Sequence, residues 1–173
     1  MKTVRLLLIS VSYFVLLGTG GPVANAQESK EEKEKQKARQ TKEILDSKKF
    51  VFLARFVYPM RGGGRELITS DYDLRVTNDT VQTFLPYFGR AFSAPTNPSE
   101  GGIRFTSTDF DYAVATKKKS WEISIKPKDI REKNSQELFL SVFPNGQASL
   151  RINSLTRDPI SYSGYIEKIE EKK

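Results

Sequence analysis

The chain has 173 residues, with 28 Lys and Arg against 21 Asp and Glu (net +7), 38% hydrophobic residues, and neither His nor Cys. The two absences exclude disulfides, zinc sites built on Cys or His, a Ser-His-Asp triad, a Cys nucleophile and a His general base. The length fits one domain, and the apolar content supports a modest core rather than wholesale disorder.

Residues 1–26 read as a secretory signal peptide. Lys2 and Arg5 make a positive start, residues 6–17 form an apolar run, and Ala24-Asn25-Ala26 supplies the small-x-small cleavage pattern. The run is 12 residues long, short of the roughly 20 that span a bilayer. Cleavage is expected between Ala26 and Gln27, leaving a mature chain with no transmembrane anchor, exported to the periplasm or the exterior. An exported chain without Cys depends on no oxidised staples, which favours a bacterial envelope.

Residues 27–47 read as a charged helical lead. Glu, Lys, Gln, Arg and Ala are good helix formers, no Gly or Pro interrupts them, and Glu31 and Lys35 stand at the favourable i,i+4 spacing. The apolar residues of this stretch, Ala38, Ile44 and Leu45, leave only the last turns a face to bury. Its mixed-sign charges describe a solvated spacer better than a basic arm for nucleic acid or lipid.

From residue 48 to 173 the pattern changes to period two. Residues 50–58 are apolar on both faces apart from Arg55, as in a buried strand. Tyr72, Leu74 and Val76 alternate with polar residues, and Asn78-Asp79 turns the chain into residues 81–88. Ile103 and Phe105, then Phe110, Tyr112 and Val114, continue the alternation up to the basic turn Lys117-Lys118-Lys119. Trp121, Ile123 and Ile125 follow, then Leu138, Leu140 and Val142 up to the turn Pro144-Asn145-Gly146. Ala148, Leu150 and Ile152 precede the last alternation of Ile160, Tyr162 and Ile166. About nine short strands with turn signals between them predict a mainly β domain, an antiparallel sandwich or barrel. Residues 89–102 and 128–135 are long for hairpin loops and are candidates for a functional rim.

Four blocks in this order are not generic β sequence: Ser70-Asp71-Tyr72-Asp73-Leu74-Arg75-Val76, Thr83-Phe84-Leu85-Pro86-Tyr87-Phe88-Gly89-Arg90-Ala91, Gly101-Gly102-Ile103-Arg104-Phe105 and Ile160-Ser161-Tyr162-Ser163-Gly164. Together they resemble the domain of unknown function 4251 family of exported Bacteroidetes proteins, over residues 42–168. The resemblance implies an envelope location and a compact β-rich domain. It brings neither an activity nor catalytic residues, so function has to be argued from the site.

Two constellations stand out. Asp71-Tyr72-Asp73 and Asp109-Phe110-Asp111 each aim two carboxylates to one side if they lie in strands, as a calcium site or a glycoside hydrolase would need. The simpler reading is that they are solvated and face Arg75, Arg104 or Lys126. In Pro86-Tyr87-Phe88-Gly89-Arg90, Pro86 interrupts regular pairing and Gly89 permits a change of direction. Tyr87, Phe88 and Arg90 could then line a cleft for an anionic or glycan ligand, or else Tyr87 and Phe88 plug one end of the core. Asn78-Asp79-Thr80 matches glycan-acceptor patterns, but an ordinary hairpin turn is the favoured reading. Gly62-Gly63-Gly64 lacks the Lys-Ser/Thr that a phosphate loop needs.

The sequence therefore predicts a non-enzymatic envelope domain that binds an envelope protein or a small or glycan ligand through its strand-end rim. It assigns no catalytic residue, metal or cofactor, and export disfavours nucleic acid. The alternatives are a carboxylate-based, glycan-directed hydrolase and a structural partner acting by edge-strand pairing.

Overall fold

The computed structural model describes residues 23–69, 71–92, 101–130 and 136–169, and for residues 23–28 the backbone alone. Most of the expected signal segment, residues 93–100 of the first long loop and residues 131–135 of the second lie outside the described residues. The helix α1 covers Val23–Asp46. It begins four residues before the expected mature terminus, and its middle turns are densely charged. Lys48 closes it in the left-handed conformation (φ 49°), with its amide donating to the Leu45 carbonyl.

Among the described residues ten strands follow: β1 (Phe50–Pro59), β2 (Arg65–Glu66), β3 (Asp73–Val76), β4 (Val81–Leu85), β5 (Ile103–Ser107), β6 (Phe110–Thr116), β7 (Trp121–Pro127), β8 (Gln136–Val142), β9 (Gln147–Ser154) and β10 (Ile160–Lys168). All pairings are antiparallel, in the order β5-β4-β3-β1-β10-β9-β8-β7-β6, with β2 on β1. The first and last strands of the domain meet as β1–β10, so the meander curls into a nearly closed barrel. The remaining opening lies between β5 and β6. Two residues join these strands in sequence, yet no ladder joins them in space.

The alternation read from the sequence gives the barrel its filling. Phe50, Phe52, Leu74, Leu85, Ile123, Ile125, Leu138, Leu140, Leu150, Ile152, Ile160 and Tyr162 are the largest fully buried side chains, and they belong to one cluster. The interior is packed rather than hollow, as in other small barrels. The two-residue β2 was not foreseen; it is too short to carry a period. Arg55, the one charged residue in the apolar run of β1, is a β-bulge: register with β10 shifts between Ala54 and Phe56. Its guanidinium donates to the Tyr165 hydroxyl at 2.7 Å outside the barrel.

The last turns of α1 pack on the barrel as the sequence predicts. Leu45 is buried and Ile44 leans on the core. Buried Thr41 donates to the Pro144 carbonyl at 3.1 Å, fixing the helix to the β8–β9 turn. Among the described residues no helix is long and apolar enough to cross a membrane.

Candidate functional site

Three connections meet at one end of the barrel: the end of β1 and its turn to β2, the segment after β4, and the β9–β10 connection. Pro59 pairs with Ile160, which brings the first and third together. Residues 90–92 are laced to residues 156–158 by the Ala91–Arg157 bridge, by the Phe92 amide donating to the Thr156 carbonyl and by the Asp158 amide donating to the Arg90 carbonyl. Arg65 lies over the Phe88 ring, 5.1 Å from its centroid, tying the first connection to the second.

Pro86 ends β4, as expected of a residue that lacks the amide donor. Its carbonyl accepts a 2.7 Å hydrogen bond from Tyr162, whose ring is fully buried and whose hydroxyl reaches the rim. Burial pushes the Tyr162 hydroxyl far above its ordinary pKa, so it donates at any ordinary pH. The Tyr87 hydroxyl lies 2.8 Å from the Arg90 carbonyl and 3.0 Å from the Asp158 carbonyl and serves both. Its pKa is also raised, by burial first and by the Asp158 carboxylate second. Arg157 stacks over the Tyr87 ring at 5.1 Å and donates to the Gly102 carbonyl at 2.8 Å. Tyr87 thus holds the rim together from within. Phe88 and Arg90 lie on the solvent side of the same segment, and Arg90 makes no ion pair among the described residues.

The three predicted rim residues therefore divide: Tyr87 is a strut, while Phe88 and Arg90 face outward. Sequence reasoning missed their neighbours. Tyr58, Met60, Phe92 and Leu155 are exposed large apolar side chains on the same connections, Phe92 at 61% and Leu155 at 77%. Arg61 and Arg65 are exposed beside them. Gly62-Gly63-Gly64, dismissed as a phosphate loop, marks the β1–β2 turn that carries these arginines.

The carboxylate motifs do not converge. Asp71 is exposed ahead of β3, whereas Asp73 is buried in it and bonded to Arg75 at 2.7 Å. Asp109 sits in the bend before β6, and Asp111 pairs with Lys128 at 2.5 Å. β3 and β6 are not neighbours in the sheet. Among the described residues no three acidic side chains are grouped to hold a metal ion. Tyr72 packs against Phe84 at 5.5 Å and leans on the core. Asn78 and Asp79 form the tight β3–β4 turn, closed by the Thr77 hydroxyl donating to Asp79.

The sequence profile of the domain of unknown function DUF4251 matches residues 32–166. The fold is similar to the crystal structure of a DUF4251 family protein from Bacteroides eggerthii, with a TM-score of 0.56 at 18% identity, over 76% of this chain and 87% of that one. No curated protein matches.

Proposed function

The chain belongs to the DUF4251 family, and from that premise we propose that it is an exported, non-enzymatic binding domain whose contact surface is the apolar, arginine-bearing rim around Phe88 and Arg90. One observation carries the reading. Tyr58, Met60, Phe88, Phe92 and Leu155 are half of the exposed large hydrophobic side chains among the described residues, and they gather on three laced connections. Exposed apolar residues scattered singly need no explanation, but a gathered set marks a contact surface. Arg61, Arg65, Arg90 and Arg157 stand against Glu66 and Asp158 there, so the surface suits a partner offering carboxylate or phosphate groups beside an apolar or ring face.

Export is part of the proposal. Cleavage after Ala26 would start the mature chain at Gln27, within α1 and just ahead of its exposed residues 29–37. The hydrolase alternative has less support, because its carboxylates are dispersed and Asp73 and Asp111 already have cationic partners. Edge-strand pairing concerns a different surface, that of β6.

Native mass spectrometry of the protein purified from its own envelope, with Arg90→Ala and Phe92→Ala beside the parent, tests both halves of the reading. The expected parent begins at Gln27 and carries a bound species that both variants lose at unchanged melting temperature. A parent that carries nothing, or variants that retain the same species, would overturn the rim assignment; a mass including residues 1–26 would overturn export.

A further inference from the structure

β6 is one of the two edge strands of the sheet, β5 being the other. It pairs with β7 on one side, and no backbone group of its other side is bonded among the described residues. Phe110 and Tyr112 lean on the core, but Ala113, Val114, Ala115 and Thr116 are exposed on both faces of the strand. Val114 is 48% exposed although its cross-strand partner Ile123 is fully buried. An open apolar edge is a template for another strand, and native proteins ordinarily blunt one with charge or cover.

The charges flanking this edge are self-complementary. The sequence Asp109-Phe110-Asp111-Tyr112-Ala113-Val114-Ala115-Thr116-Lys117-Lys118-Lys119 is acidic at one end and basic at the other, about Val114 as centre. Two antiparallel copies related by a two-fold axis through Val114 place Ala113 opposite Ala115, Tyr112 opposite Thr116 and Asp111 opposite Lys117, with Asp109 and Lys119 next in line. A two-fold normal to the sheet keeps each side chain on the same face in both copies, so other symmetric registers shift by whole residues. A shift of the axis to Ala113 or Ala115 loses both of these matches and leaves a single one, Asp109 with Lys117 or Asp111 with Lys119. Parallel, in-register pairing would stack lysine on lysine. The charges thus favour the Val114 register over its neighbours and oppose the parallel one.

We propose that β6 is the interface of a two-fold homodimer, in which two copies pair these strands antiparallel about Val114 and join their barrels into one continuous sheet. Such an interface is isologous and closes on itself, which ends the growth that an open edge otherwise permits. Asp111 already accepts from Lys128, and the second oxygen of its carboxylate is free to take the Lys117 ammonium of the other copy. The proposal uses no rim residue, so it stands or falls independently of the rim reading.

Sedimentation of the full mature chain tests it, with Asp111→Lys, Lys117→Asp and the double exchange Asp111→Lys/Lys117→Asp. Each single change puts like charges across the axis twice, and the double change restores opposite ones. The parent is expected to dimerise, each single variant to dimerise roughly tenfold more weakly or not at all, and the double variant to recover. Matched melting curves show that the variants fold. A parent monomeric at the highest soluble concentration, single variants as dimeric as the parent, or a double variant that fails to recover would each overturn the proposal.

Discussion

Tyr112 leans on the core with a hydroxyl that is buried and has no hydrogen-bond partner among the described residues. Burial, and secondarily the Asp46 carboxylate, push its pKa up to about 12. The Lys48 ammonium lies 5.3 Å from the ring centroid, a contact the ring alone supports. Tyr112→Phe should therefore keep the packing and remove an unpaired polar atom, raising stability by about 1 kcal/mol. The pH dependence has a definite sign. The folded pKa exceeds the unfolded value of 10.0, so the neutral phenol's contribution is complete below pH 10 and is lost as the pH rises through about 12. Urea titrations from pH 8 to 12 should show the parent losing stability over that window faster than the variant; parallel curves would contradict the burial of the hydroxyl. That Tyr112 faces inward was legible from its place between Phe110 and Val114. The Arg55 bulge was not, because it sits beside a close approach across the sheet: a Cβ at Gly164, the partner of Ala54, would run into the Leu53 carbonyl oxygen. That contact between β1 and β10 has no local sequence signal beyond the glycine itself.

At the scale of elements, α1 has two halves with different tasks. Residues 29–37 are exposed, while Thr41 and Leu45 are buried against the barrel. Removing residues 27–37 should change stability by no more than about 0.5 kcal/mol, the range of ordinary surface changes. Leu45→Ala should cost about 2–5 kcal/mol, as deletion of a buried leucine does. Chemical denaturation of both variants checks the contrast; similar losses would mean that the charged half also packs on something. The composition announced this division, since only Ile44 and Leu45 near the helix end could be buried. The Thr41 contact was hidden because its acceptor, Pro144, is 103 residues away. The rim was half legible for the same reason. Pro86 and Gly89 pointed to the segment after β4, but Tyr58, Met60 and Leu155 join it only through the β1–β10 closure.

At the scale of the molecule, the weak place is the opening between β5 and β6, and one side chain from a distant loop fastens it. Asp129, just past β7, accepts from the Ser107 hydroxyl at 2.5 Å, the Thr108 amide at 2.8 Å and the Asp109 amide at 3.3 Å. It thereby fixes the corner where the chain leaves one sheet edge and begins the other. Next to it the Lys128 amide donates to the Asp109 carbonyl, and its ammonium pairs with Asp111. The loop holding these residues is by its length a candidate for a functional rim, and its described part also works as a clasp. The donors hold the Asp129 carboxyl below the ordinary 3.8, with the Ser107 hydroxyl as the largest cause and the Thr108 amide next. A depressed carboxylate pKa gives stability that is complete above the unfolded value and lost as the pH falls through the folded one. Asp129→Ala should therefore raise amide exchange in β5 and β6 at neutral pH, while β1, β9 and β10 keep their protection. The parent should come to resemble the variant at this corner as the pH drops below about 3.8. Hydrogen-exchange protection factors, corrected for the intrinsic effect of pH, measure both effects. If β5 and β6 stay as protected in Asp129→Ala as in the parent, the barrel does not rely on this carboxylate. Its edges would then be held by core packing alone.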